Sequence, residues 1–132
     1  MSATDLKSHP IHLGLGATAE IEPRFTGEMS WYEGYSQRHA ADDAEGRLVT
    51  LSTFTNSWDV WEMHPEGSEV VLCVSGSITI HQESPSGEHT SVTIGEGQYA
   101  INAPGVWHTA DIDAPATALF ITAGKGTDHR PR

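Results

Sequence analysis

From Leu48 onward, short runs of β-branched and aromatic residues alternate with compact turn signals. Runs of this length bounded by Gly, Pro and Ser are the sequence signature of half-buried strands. They predict strands at Leu48–Thr55, Ser57–Met63, Val70–Val74, Ser77–Gln82, Thr90–Ile94, Gln98–Ile101, His108–Ile112 and Thr117–Ala123. The breaks are Pro65-Glu66-Gly67, Ser75-Gly76-Ser77, Pro85-Ser86-Gly87, Gly95-Glu96-Gly97, Pro104-Gly105 and Ala114-Pro115. Each supplies a residue with fixed φ or with freedom at positive φ. No segment after residue 45 holds a helical period, so the fold class is all-β, a sandwich or barrel of two antiparallel sheets.

The first 45 residues behave differently. Gly14, Gly16, Pro23 and Gly27 mark an irregular N-terminal arm with an edge strand near Ala17–Ile21. Met29–His39 reads as a short helix weakened by Gly34. Trp31, Tyr32 and Tyr35 are large bodies in a polar stretch and are expected to pack on the barrel or on a second subunit. No repeat or linker divides the chain, which gives one domain in two parts: an arm over 1–45 and a barrel over 46–132.

Composition narrows the function. The 132 residues suit one domain with a core of its own. A net charge of −11 with seven basic residues excludes nucleic acid and anionic membranes as partners. The lone Cys73 excludes a disulfide framework. No apolar run reaches membrane-spanning length and no signal peptide is visible, so a soluble cytoplasmic protein is expected. Gly14-Leu15-Gly16-Ala17-Thr18-Ala19 lacks the βαβ context of a dinucleotide loop, and Gly124-Lys125-Gly126-Thr127 lacks that of a phosphate loop. No Gly-x-Ser-x-Gly elbow is present.

The chemistry concentrates in Trp61-Glu62-Met63-His64-Pro65-Glu66-Gly67-Ser68-Glu69. Residues two apart in a strand share a face, which pairs Glu62 with His64. The Pro-Glu-Gly turn then brings Glu69 back beside them. His108, after Pro104-Gly105, is the candidate fourth group. An imidazole and carboxylates converging from several strands suit a divalent first-row metal.

These residues resemble the cupin family, whose two motifs are G-x5-HxH-x3,4-E-x6-G and G-x5-PxG-x2-H-x3-N. His64, four residues, Glu69, six residues and Gly76 match the latter half of the first motif. Gly97 and His108 stand eleven positions apart, the spacing of the second. Asn56 replaces the leading glycine, Glu62 the first histidine and Ile112 the closing asparagine, while Pro104-Gly105 is offset by one. The resemblance spans roughly residues 45 to 123. It implies a double-stranded β-helix, a jelly-roll-like barrel that commonly associates as a homodimer, with His64, Glu69 and His108 as metal ligands. Glu62 is then either the fourth ligand or a general base. Fe, Mn, Ni or Zn would suit such a set.

The function implied is a divalent-metal-dependent enzyme on a small polar metabolite, with isomerase, lyase or dioxygenase chemistry. The alternative is a non-catalytic small-molecule-binding barrel without metal. A third reading uses His64 or His108 with Tyr99 as acid and base on a sugar, again without metal. Without metal, two close carboxylates are expected to share a proton, with one pKa raised. Trp58, His81, Tyr99 and Trp107 are the candidate substrate-binding residues, with Asn102 near the pocket mouth, although surface is the better reading of His81. Trp61 and Met63 face away, and Trp61 beside Val70, Leu72 and Val74 would form an apolar dimer surface. Cys73 is expected inside as a small hydrophobe. His9, His12, His39, His89 and His129 are expected to face solvent.

Overall fold

The structure is a computed structural model that describes residues 2–132. In chain order the elements are β1 (Ile11–Gly14), β2 (Thr18–Ile21), α1 (Met29–Arg38), a 3-10 segment (Ala40–Glu45) and β3 (Arg47–Phe54). There follow β4 (Val60–Met63), β5 (Glu69–Ser75), β6 (Ser77–Glu83), β7 (His89–Gly95) and β8 (Tyr99–Asn102). The last are β9 (Trp107–Asp111), β10 (Ala116–Thr122) and β11 (Asp128–Pro131). They form two antiparallel sheets, ordered β2-β1-β3-β10-β5-β8 and β11-β4-β9-β6-β7.

Strand alternation builds the interior. On β5, Glu69, Val71 and Cys73 point in; on β10, Ala116, Ala118 and Phe120 do. Facing them from the second sheet are Ile78 and Ile80 of β6, Ile94 of β7 and Ala110 of β9. Small residues on β10 opposite branched ones on β6 let the two layers interdigitate at interior density. The apolar core fills one part of the barrel, and the polar cluster described below lies beside it, with Phe54 and Trp58 packed against the core.

The predicted strands form, with three differences. The second starts at Val60 rather than Ser57, because the Trp58 backbone N–H bonds Ala110 O and the Ser57 hydroxyl accepts from Ile112 N–H, an irregular entry. β1 is a strand of 4 residues (IHLG), too short for a period to show. β11 reads DHRP, with a proline that only an edge strand tolerates.

The arm's hairpin extends the first sheet, with β1 pairing both β2 and β3. His12 therefore lies on the inner face in register with Leu48, and it is 1% exposed rather than solvent-facing. Trp31 is buried, stacks on Tyr35 and meets Phe25 edge-to-face, so the arm's aromatics cluster among themselves. Trp61 does not adjoin Val70, Leu72 and Val74: β4 and β5 belong to different sheets. The outer face of the first sheet is nonetheless apolar. Register places Ile101, Val70, Ile121, Val49, Ile11 and Ile21 in one row across all six strands. Among the described residues, no helix is long and apolar enough to cross a membrane.

Candidate metal centre

Glu62 and His64 alternate on β4 and both enter the barrel. β4 meets β9 in register at Glu62 and His108. The Pro-Glu-Gly turn reverses the chain, and Gly105 N–H bonds His64 O, pinning the end of β4 to the turn before β9. Glu69 opens β5 opposite Thr122 of β10 and Asn102 of β8. Four side chains from three strands and one turn thus converge.

The distances are those of ligands around a common point. His64 Nε2 is 2.9 Å from Glu62 Oε1 and 3.1 Å from Glu69 Oε2. His108 Nε2 is 3.2 Å from Glu69 Oε1 and 3.8 Å from Glu62 Oε1. Donor atoms about 2.1 Å from a metal stand roughly 3.0–3.5 Å from one another, so the gap is of the right size. His64, Glu69 and His108 are buried, whereas the Glu62 side chain keeps 24% exposure.

The outer partners decide which nitrogen faces the gap. The Thr127 hydroxyl donates its one proton to Gly124 O (2.8 Å), so towards His64 Nδ1, 2.7 Å away, it can only accept. His64 therefore keeps its proton on Nδ1. His108 Nδ1 likewise donates to Val106 O at 3.3 Å. Both Nε2 atoms are left to the gap, the arrangement that metal-bound imidazoles adopt. His108 Nε2 is buried without a well-formed hydrogen bond, since it aims between the two carboxylates rather than at either. A buried polar atom in that condition is costly unless something else fills the gap. Glu69 is held on both oxygens, by Asn102 Nδ2 (3.2 Å) and Thr122 Oγ1 (2.7 Å), and Gln82 Nε2 fixes the Asn102 amide at 2.8 Å.

Electrostatics follow from the alternation of charges. Burial alone would raise both carboxyl groups. Hydrogen bonds and charge from His108 and His64 outweigh it, taking Glu69 down to about 2 and Glu62 well below the usual carboxylate range. The expected shared proton is therefore absent: each carboxylate meets imidazoles before it meets the other. Burial would lower the two histidines, but the same two carboxylates raise both to about 9. Burial, then the charges of Glu62 and Glu69, push the Tyr32 phenol up to about 12, which brings the arm helix into the electrostatic reach of the site.

Of the four candidate substrate-binding residues, the structure brings only Trp58 to the cluster. Its ring centroid lies 6.3 Å from that of His108, and its indole N–H is buried without a partner. His81 sits on the outer face of β6 between Ser91 and Asp111. Trp107 also faces out, 4.5 Å beneath the Arg130 guanidinium. Tyr99 is 62% exposed on β8, opposite in direction to Ala100 and Asn102. That placement also removes the Tyr99 acid–base reading. His129 is exposed, as expected, with its side chain 42% accessible, and it also donates from Nε2 to Glu62 Oε2 at 3.0 Å. Thr122, Thr127 and His129 escaped sequence reading, although Thr127 and His129 are two apart and so share a face, the same parity signal that marks Glu62 and His64.

A second cluster of His12, His39 and Asp42 lies in the arm. Its groups are mutually satisfied: His12 bonds Tyr35 Oη and Asp42 Oδ2, both at 2.6 Å, and His39 bonds Glu22. The His12 and His39 rings stack at 3.6 Å and 15°. With the rings stacked at so small an angle, their in-plane lone pairs run nearly side by side and do not converge within bonding distance, so the cluster does not fit a metal.

No protein-family pattern matches the chain, and no curated protein matches it in sequence. Solved structures do match in shape. An oxalate oxidase in complex with glycolate aligns with a TM-score of 0.54 at 12% identity, over 62% of this chain and 45% of that one. A hydroquinone 1,2-dioxygenase in complex with Cd2+ and 4-hydroxybenzonitrile gives 0.52 at 12% identity, over 58% and 56%. A cupin-2 domain protein from Shewanella frigidimarina gives 0.49 at 19% identity, over 65% and 71%. This chain thus spans about half the length of the first two.

Proposed function

Starting from a chain that has the cupin fold, we propose that it is a divalent-metal-dependent enzyme acting on a small polar metabolite, with Glu62, His64, Glu69 and His108 as ligands. The observation that carries this reading is the orientation of the imidazoles. Each Nδ1 is occupied by an oxygen acceptor, and each Nε2 is turned to one gap between two carboxylates. Two nitrogens and two carboxylate oxygens suit Fe, Mn, Ni or Zn. A bound ion would act as Lewis acid and template for an oxygen-bearing substrate.

The chain's own residues divide the remaining work. Glu69, held on both oxygens, is a fixed ligand. Glu62 is the more exposed carboxylate and has one oxygen turned away to His129, so of the two it would be the one placed to serve either as a ligand or as a base towards substrate. The unpartnered Trp58 indole N–H supplies a donor to a substrate oxygen, while its ring and Phe120 wall the interior. Isomerisation, lyase and dioxygenase reactions on hydroxy or carbonyl substrates all use such a site. We assign the outer face of the first sheet to a homodimer contact, since its apolar row runs the full width of the sheet.

One observation favours a different reading, a binding barrel without metal: two imidazolium and two carboxylate groups neutralise one another in place. Elemental analysis of purified protein separates the two. One equivalent of a transition metal, lost in His64→Ala, supports the enzyme. Loss in Glu62→Ala as well makes Glu62 a ligand in the resting state, whereas retention leaves it as the base. No metal after reconstitution with Fe, Mn, Ni or Zn overturns the metal reading in favour of the binding barrel.

A further inference from the structure

We infer that β11 is the clamp of the metal centre, and that Thr127 and His129 are positioning residues acting on His64 and Glu62. The inference rests on the metal reading above. β4 carries Glu62 and runs directly into His64, and it is only four residues long. Its ladder to β9 consists of the single pair Glu62–His108. Its ladder to β11 has four pairs, Met63–Asp128, Glu62–His129, Trp61–Arg130 and Val60–Pro131. Thr109 Oγ1 bonds Val60 O at 2.8 Å and Gly105 N–H bonds His64 O at 3.0 Å on the β9 side, but the longer backbone ladder on the ligand strand is that of β11.

The side chains repeat the arrangement. Thr127 and His129 alternate with Asp128 and Arg130, so they reach the inner side where the ligands are. Thr127 Oγ1 takes the His64 Nδ1 proton at 2.7 Å, and His129 Nε2 reaches Glu62 Oε2 at 3.0 Å. The Thr127 oxygen is itself aimed by the turn, because Thr127 N–H and Oγ1 both bond Gly124 O. Gly126 closes that turn at φ +75°, where a Cβ would also stand 3.2 Å from Pro65 Cγ. On the opposite side of β11, Arg130 is fixed to Glu83 and lies over Trp61 and Trp107. Arg132 bonds Trp58 O at 2.9 Å and Asp111 Oδ1 at 2.8 Å. Outer bonds thus anchor β11 to β6 and β9, and inner bonds from the same strand aim two ligands.

If β11 sets the ligands, a bound ion must in turn hold β11, because coupling between two equilibria is reciprocal. The test measures Zn(II) affinity by chelator competition and the visible spectrum of the Co(II) form, for wild type, Thr127→Val, Thr127→Ser, His129→Ala and His129→Gln. Thr127→Val is expected to weaken binding about 10-fold or more, the usual effect of losing an outer partner of a metal-bound histidine. It should also change the Co(II) spectrum, and Thr127→Ser should restore both. His129→Ala should weaken binding with partial recovery in His129→Gln. Amide hydrogen exchange in wild type should slow across residues 127–131 on adding Zn(II), a readout that needs no variant to fold. Wild type that binds Zn(II) while the variants match it and exchange stays unchanged overturns the clamp alone. Wild type that binds neither Zn(II) nor Co(II), and takes up no Fe, Mn or Ni on reconstitution, overturns the metal reading and the clamp with it.

Discussion

Glu69 is the least replaceable of the four converging groups, because both of its oxygens are held. His64 and Thr122 meet one oxygen and Asn102 bonds the other, which His108 Nε2 approaches at 3.2 Å, with the side chain 3% exposed. Replacing it by alanine leaves the His64 imidazole, an amide and a hydroxyl without their acceptor, and His108 without its nearer carboxylate. Breaking a buried charge network from one side costs about 3–5 kcal/mol. Glu69→Ala should therefore lose metal and also lower the unfolding free energy by that order in a urea titration. Glu62→Ala, at a half-open position, should lower it by less than Glu69→Ala. The convergence of Glu62, His64, Glu69 and His108 was readable from spacing and strand parity. The residues that aim them were not, for a chemical reason: Thr122, Thr127 and Asn102 are ordinary strand and turn residues whose role appears only when register sets them beside Glu69 or His64. Conversely, His81, Tyr99 and Trp107 have reactive side chains near the motif in sequence, but a one-residue change of parity sends each to the outer face.

At the scale of elements, the strands with strict alternation and glycine or proline turns were legible, from β3 through β10. β1 and β11 were not, because four residues show no period and their pairing comes from partners distant in sequence. The arm illustrates the consequence. His12 looks like a loop histidine until β1 pairs β3, whereupon it is buried and needs partners on both nitrogens; Tyr35 of α1 and Asp42 provide them. Gly46 makes room for this ring, since a Cβ there would stand 2.8 Å from His12 Cε1. The cluster fastens α1 to the hairpin and with it Tyr32, whose phenol the charges of Glu62 and Glu69 help to raise. Two outcomes follow from reading it as a hydrogen-bond network. Tyr35→Phe should destabilise the protein by about 1–3 kcal/mol through the unsatisfied imidazole nitrogen, read from a thermal melt. His12→Ala should leave the metal content at one equivalent; a wild-type value of two that falls to one in His12→Ala would mean that the arm cluster is a metal site after all.

For the whole molecule, charge and surface make separate demands. In the metal-free protein His64 and His108 titrate near 9, above their ordinary 6.5. Raised values mean that their contribution is complete below 6.5 and is lost as pH climbs through 9. Glu69, lowered to about 2 from 4.5, contributes fully above 4.5 and loses its share as pH falls through 2. Metal-stripped protein should thus melt highest between pH 4.5 and 6.5 and progressively lower towards pH 9. Zn(II)-loaded protein should show the opposite slope on the acid side of neutrality, because protons compete with the ion for the imidazoles. The outer surface has nothing to do with this titration. Ile101 and Tyr99 on the edge strand β8 are 52% and 62% exposed, and Ile21 at the far edge is 67% exposed. Six strands at about 4.8 Å spacing make this apolar row about 25 Å wide. The segment before β1 covers part of the sheet, tied by Lys7 Nζ to Thr53 Oγ1 at 2.9 Å, but the β5–β8 end stays open. A second copy of the chain is the partner that removes such a surface with the least added machinery. Ile101→Glu puts a charge into the open end without touching Asn102 or the inner face. It should convert a dimer to a monomer in sedimentation analysis while Zn(II) stoichiometry stays the same. A monomeric wild type would assign the row to another partner, and a variant that loses both dimer and metal would show that the two faces of the sheet are not independent.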